Sequence, residues 1–282
     1  MQRLSLAYLG PAGSFCHQAA LKWRARRERD VELVACRDLE EIVQGLNQGR
    51  FFRGIIPLEN SLEGSVPSSL ELLVNGNQQI QGEIVIPVHL NLVSRGEDLE
   101  ALEIIYSHPH ALAQCRRFLQ PLSARVRLEL SSSTAQAARD AARRGERAAA
   151  IASALAARIY GLQVLRENIE DWPDNQTRFV VLGRGIPSPC GRDKTSLLLV
   201  PTEDRPGVLY GFLAPFAEAG INLTRIESRP TKRRLGEYMF FLDCLGHVQT
   251  PPLAPVLDVL MRKAAKVRIL GSYPAWTDTN GE

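Results

Sequence analysis

Short apolar runs alternate with segments of helical spacing through the first two thirds of the chain, and each junction is a glycine-rich or polar turn. That alternation predicts an α/β architecture around a parallel sheet, because parallel strands need crossovers that are usually helical. The run "LSLAYLG" reads as a strand, "GPAG" as its turn, and "SFCHQAALKWRAR" as a helix that Ser14 is placed to cap. A strand at "VELVAC", a helix opened by Asp38 at "DLEEIVQGLNQG" and a strand at "FRGIIPLEN" continue the pattern. A helix is expected from Ser68 or Ser69. In "GEIVIPVHLNLVSR", Val88, Leu90 and Leu92 alternate with His89 and Asn91, which predicts one strand with a single buried face. The segments "EIIYSHPHALAQCRRFLQ", "RVRLELSSSTAQAARDAARR" and "RAAAIASALAARIYG" each repeat strand, turn and helix. The alanines of the last two suggest close packing.

Ligands of open α/β sheets sit beyond the carboxyl ends of strands, where helix N-termini offer free N–H groups. Ser14, Ser107, Ser133 and Thr134 occupy such junctions and are anion-site candidates. The alternative for each is a helix cap and nothing more. Composition changes at "GRGIPSPCGRDK" (183–194), which reads as a linker. Beyond it the order strand, helix, strand, strand, helix, strand predicts a ferredoxin-like βαββαβ unit, with an antiparallel sheet and both helices on one face.

Compartment and partners are bounded by what the chain lacks. No window approaches the ~18 apolar residues of a membrane span, and Gly10, Pro11 and Gly13 interrupt any secretory core near the start. The five cysteines are scattered without Cys-x-x-Cys spacing, which argues against a disulfide framework or zinc knuckle and for a reducing cytoplasm. There the sequons Asn175-Gln176-Thr177 and Asn222-Leu223-Thr224 would carry no sugar. The net charge of +3 comes largely from arginines in "KWRARRERD" and "ARDAARRGER", expected on solvated helix faces. With no interleaved aromatic platform, nucleic-acid binding is not expected, and neither is membrane association.

In order and spacing, "GPAGSF", "PLENSLEGSV", "YSHPHALAQC", "SSTAQAA", "NQTRFVVLG" and "ESRP" together resemble the prephenate dehydratases. The resemblance covers nearly the whole chain. It implies that residues 1–190 form a two-lobed unit like a periplasmic solute-binding protein, with the active site in the cleft between lobes. Residues 194–275 are similar to an ACT domain, a regulatory amino-acid-binding module. The implied reaction is the decarboxylating dehydration of prephenate to phenylpyruvate. Its substrate carries two carboxylates and a ring hydroxyl, and loss of carbon dioxide and hydroxide aromatises the ring. Such a reaction calls for an arginine clamp, N–H donors and a donor aimed at the leaving oxygen, with no metal or other cofactor.

By that resemblance Thr177 is the catalytic residue, donating to the leaving hydroxyl, and Arg178 pairs with a substrate carboxylate. Phe179 is expected in the core. Asn60, Ser61 and Gly64 lie in a polar turn suited to cradling an anion, and Ser107 and Gln114 are expected to reach the cleft. Glu59 is either a proton donor of raised pKa or the partner in a structural ion pair, whereas His108 and His110 read as surface or hinge residues. Ser14 replaces the commoner threonine, and Ser69 and Glu71 stand where threonine and aspartate are usual. No helical mutase segment precedes Gly10, so a monofunctional enzyme is expected. The resemblance further implies feedback by L-phenylalanine at Gly207, Val208, Leu209, Asn222, Glu227 and Ser228, and a homodimer or homotetramer. The alternatives are arogenate dehydratase, or a two-lobed amino-acid-sensing protein without chemistry.

Overall fold

The computed structural model describes residues 4–27, 30–232, 234 and 236–277. Chain contacts divide it into two compact units, one of residues 1–69 and 85–179, the other of residues 70–84 and 180–282.

The first unit opens with β1 (Ser5–Leu9), α1 (Phe15–Arg27), β2 (Glu32–Cys36), α2 (Leu39–Asn47), β3 (Arg53–Asn60) and the short β4 (Gly64–Ser65). Strand β1 pairs in parallel with β2 and with β3, as the alternation predicts. Helix α2 (N-cap Asp38) has its Glu41 N–H, an orphan donor of the first turn, taken by the Asp38 carboxylate at 2.7 Å, while the Glu41 carboxylate reaches back to the Arg37 N–H just before the cap at 2.9 Å. Its apolar positions Leu39, Ile42, Val43 and Leu46 are buried, one face of a 3.6-residue repeat. These elements make the first lobe.

After α3 (Pro67–Asn75) and β5 (Gln79–Pro87) come β6 (Asn91–Ser94), β7 (Ile104–Ser107), α4 (Pro109–Gln114), α5 (Arg116–Leu119), β8 (Arg127–Leu130), α6 (Thr134–Arg144), β9 (Ala148–Ala152), α7 (Ala154–Tyr160), β10 (Gln163–Arg166) and β11 (Gln176–Gly183). The unit boundary falls within α3, β5 and β11. The second lobe is a five-stranded sheet in the order β10-β6-β9-β7-β8. One apolar cluster gathers Leu90, Leu92, Ile105 and Ile151 with Cys115, Leu119 and Leu122. The other consists mainly of alanines from α6, β9 and α7, the close packing expected of those stretches.

Several sequence expectations are corrected here. The segment after α3 is not one strand: β5 stops at Pro87 and β6 starts at Asn91. Between them the chain crosses from lobe to lobe beside its return path, with Val88 N–H donating to Asn175 O and Ile169 N–H to Leu90 O. Asn91 is buried, not solvent-facing, because its amide is satisfied internally by Ala152 O and Asn168 N–H. The second sheet is mixed: β7 runs parallel to β8 and β9, but β6 is antiparallel to β9 and β10. Helix α3 begins at Pro67, whose fixed φ and missing N–H suit a first turn. The helix after β7 breaks at Cys115, where Asp171 accepts from the N–H groups of Arg116 and Arg117 and restarts it as α5. On α1 the basic run is not a solvated face, since Lys22, Arg24 and Arg26 are half-buried and Lys22 donates to Val85 O. Glu28 and Arg29 of that run lie outside the described residues. The arginines that end α6 are exposed as expected.

The second unit contains β12 (Asp193–Pro201), α8 (Val208–Glu218), β13 (Leu223–Pro230), β14 (Tyr238–Leu245), α9 (Leu253–Lys263) and β15 (Ala264–Pro274). The strands run β13-β14-β12-β15, all antiparallel, and α8 and α9 share one apolar core with them. The βαββαβ expectation holds. Gly271 of β15 sits opposite Ile80 of β5, where a Cβ would lie 2.4 Å from Ile80 O. Only glycine permits that approach. Glu83 and Lys194 form a buried ion pair at 2.7 Å, and Trp276 N–H donates to the same carboxylate.

Candidate active site

The polar ends of β3, α4 and β11 converge where the chain crosses between the lobes of the first unit. Asn60 closes β3, and its side-chain Oδ1 accepts from Leu62 N–H at 3.0 Å and Glu63 N–H at 3.1 Å, an Asx-type turn that shapes "ENSLEG". Its Nδ2 donates to Asn175 Oδ1 at 2.7 Å, Gln176 O at 3.1 Å and Thr177 Oγ1 at 2.9 Å. Ser61 is bound twice to the same strand: its N–H donates to Gln176 O, and its hydroxyl accepts from Gln176 N–H. The hydroxyl also donates to Asn175 Oδ1 at 3.3 Å. Gly64 holds φ +78°, and no atom lies within 4 Å of where its Cβ would be, leaving open space at the turn.

Gln114 ends α4 and enters the same set from the second lobe. Its Nε2 donates to Glu63 Oε1 at 3.3 Å, and its Oε1 accepts from Asn175 Nδ2 at 2.9 Å. Glu63 Oε2 lies 3.6 Å from His110 Nδ1. Arg178 Nη1 is 3.5 Å from Glu59 Oε2, the structural ion pair among the two roles open to Glu59. The arginine side chain is mostly buried and the glutamate about a third exposed. Phe179 is core, at 1% exposure. Thus Thr177, Asn60, Ser61 and Gln114 are brought together, with Arg178 beside them.

The serines at the other junctions are already engaged. Ser14 Oγ accepts from His17 N–H and donates to Leu9 O, so it caps α1. Ser133 caps α6 by accepting from Gln136 N–H, and Thr134 is the first residue of that helix. Ser107 is fully buried and donates to Ile151 O. The glycine turn before α1 is tied to α7 in turn: Ser153 Oγ donates to Gly13 O at 2.9 Å and Tyr160 to Ala12 O at 2.8 Å. His17 stacks on Tyr8, and its Nδ1 accepts from Gly13 N–H. Burial, then the nearby Arg24 charge, pushes the His17 pKa below the usual histidine value. His108 caps α4 by accepting from His110 N–H, and burial, then the neighbouring His110, lowers its pKa too.

Sequence reasoning passed over Asn175 and Glu63. Asn175 was weighed only as a sugar acceptor, yet it is 1% exposed and bonded on both sides. A polar side chain two residues before Thr177 was the available signal. Among the described residues no group of three or more His, Cys, Asp or Glu side chains is arranged to hold a metal ion. No helix among them is long and apolar enough to cross a membrane.

In the second unit Gly207 holds φ +81° just before α8, and Val208 and Leu209 pack on the core shared with α9. Asn222 is exposed, and its carbonyl accepts from Leu245 N–H. On β13, Glu227 is paired with Arg225 and Ser228 is exposed.

Comparison with known proteins puts this geometry in a family. Residues 6–186 match the family model described as Prephenate dehydratase, and residues 196–260 match the ACT domain model. The bifunctional chorismate mutase/prephenate dehydratase of Aquifex aeolicus is 40% identical over 273 residues, covering 97% of this chain and 74% of that protein. A prephenate dehydratase from Arthrobacter aurescens, solved in complex with L-Phe, superposes with a TM-score of 0.85 at 35% identity, covering 96% of this chain and 90% of that one. A structure described as GqqA, a novel type of quorum quenching acylase, also gives 0.85, at 33% identity over 96% of this chain and 98% of that one. On the match of residues 6–186 and on these relatives, the chain belongs to the prephenate dehydratase family and carries a C-terminal ACT domain.

Proposed function

We propose that this chain is a carbon–oxygen lyase that converts prephenate to phenylpyruvate, water and carbon dioxide. The observation that carries the reading is the convergence of Thr177, Asn60, Ser61 and Gln114 from three chain segments, with the Arg178 guanidinium beside them. Arg178, held beside the site by its pairing with Glu59, carries the planar fork of donors that suits a substrate carboxylate. The open turn at Gly64 leaves room for the second anion. Thr177 donates to the ring oxygen as it leaves, so that negative charge developing there meets a positioned donor. Ser14, Ser107, Ser133 and Thr134, at strand-to-helix junctions, complete the proposed substrate-binding set, with Ser14 and Ser133 also capping their helices and Ser107 bonded to Ile151 O.

In this reading residues 1–190 do the chemistry and residues 194–275 sense L-phenylalanine through Gly207, Val208, Leu209, Asn222, Glu227 and Ser228. The cysteines are all unpaired thiols, which suits a cytoplasmic enzyme. Recovery of the native chain from a secreted fraction would oppose that location. Substrate identity is tested by incubating the purified chain separately with prephenate and with arogenate and identifying the products. Phenylpyruvate from prephenate is expected. Phenylalanine from arogenate alone would make it an arogenate dehydratase, and cleavage of an acyl amide without either product would overturn the lyase reading.

A further inference from the structure

We propose that Asn175 is a positioning residue that holds the Asn60 amide in the orientation that directs the Thr177 hydroxyl proton. This rests on the dehydratase reading of the site and adds to it a residue with no assigned role. The hydrogen-bond set fixes its own polarity from both ends. At one end the Asn60 side-chain Oδ1 is held by two backbone N–H groups, of Leu62 and Glu63, which only donate. The Asn60 amide nitrogen must therefore face Asn175 and Thr177. At the other end the Glu63 carboxylate, an acceptor when ionised, takes the Gln114 amide nitrogen, so Gln114 turns its oxygen toward Asn175.

Asn175 closes the ring between them. Its nitrogen donates to Gln114 Oε1, and its oxygen is left to accept from Asn60 Nδ2 and Ser61 Oγ. Every amide in the ring then has one consistent orientation. The consequence falls on Thr177, whose oxygen receives the Asn60 N–H at 2.9 Å. A hydroxyl that accepts there points its own hydrogen elsewhere, because two donors cannot face each other. Asn175 acts through Asn60 and touches no reacting atom. Its burial at 1% exposure and its bonds to residues of both lobes hold Asn60 without freedom to rotate.

A double-mutant cycle on prephenate turnover tests this. Asn175→Ala is expected to lower kcat by about 10–100-fold with KM within about threefold, a loss specific to the reacting state. In a Thr177→Val background the same substitution should change kcat by less than about twofold, since the group it directs is gone. Asn175→Asp, which keeps the acceptor oxygen, should hold kcat closer to wild type than Asn175→Ala does, and Asn175→Ser carries the cycle if the alanine variant fails to fold. Equal fold-losses in the wild-type and Thr177→Val backgrounds, or an unchanged kcat in Asn175→Ala, would overturn the positioning role while leaving the dehydratase reading intact. A wild-type chain that does not turn over prephenate would overturn both.

Discussion

His17 shows how one side chain of the signature turn couples structure to pH. Its Nδ1 accepts from Gly13 N–H, so the neutral ring must carry its hydrogen on Nε2, and protonation would occupy the acceptor. Burial and Arg24 lower its pKa. The unfolded chain therefore binds a proton first: below the ordinary histidine value of about 6.5, stability falls as pH drops, until the folded value is reached. Above the ordinary value of about 6.5 both states are neutral and the pH dependence vanishes. Thermal midpoints recorded from about pH 7.5 to about pH 5.5 should fall on acidification and fall less steeply in His17→Gln, which keeps an acceptor but cannot titrate. His108 acts in the same direction and leaves some slope in the variant. Parallel curves would remove His17 from the account. At this level the family motif brought Thr177, Arg178, Asn60, Ser61 and Gln114 to the same small region, all from sequence. Asn175 and Glu63 stayed hidden because their importance lies in bonds to residues far away in the chain, and no local spacing encodes that.

Elements were legible wherever a local rule decided them. Asp38 and Ser133 cap their helices as their positions announce, and the alanines of α6, β9 and α7 pack together. The split βαββαβ unit followed from element order alone. What misled was a polar residue satisfied from a distance. Asn91 looked solvent-facing because alternation counts it as polar, while Ala152 O and Asn168 N–H let it sit inside the sheet. The break at Cys115 likewise depends on Asp171, more than fifty residues on, which supplies acceptors to the restarted helix. Strand direction was missed for a related reason: β6 enters its sheet from a lobe crossing and not from a helix, so the alternation that implies parallel pairing does not apply to it.

For the molecule as a whole, the ACT domain predicts control by an amino acid and association of like chains. Phenylalanine should bind in calorimetry and slow turnover, with a coupling on the order of 1–3 kcal/mol between effector and substrate. Ser228→Ala, at an exposed position of β13, should weaken that inhibition while leaving uninhibited kcat nearly intact. Light scattering should report a dimer or tetramer. Absence of both binding and inhibition would remove the regulatory claim, and monomers at all concentrations would remove the assembly. The account stands most directly on the Thr177 hydroxyl as the donor to the leaving oxygen. The measurement is phenylpyruvate release from prephenate by wild type and by folded Thr177→Val: kcat should fall by about 10²–10⁴ with KM little changed, whereas wild-type turnover in the valine variant would contradict it.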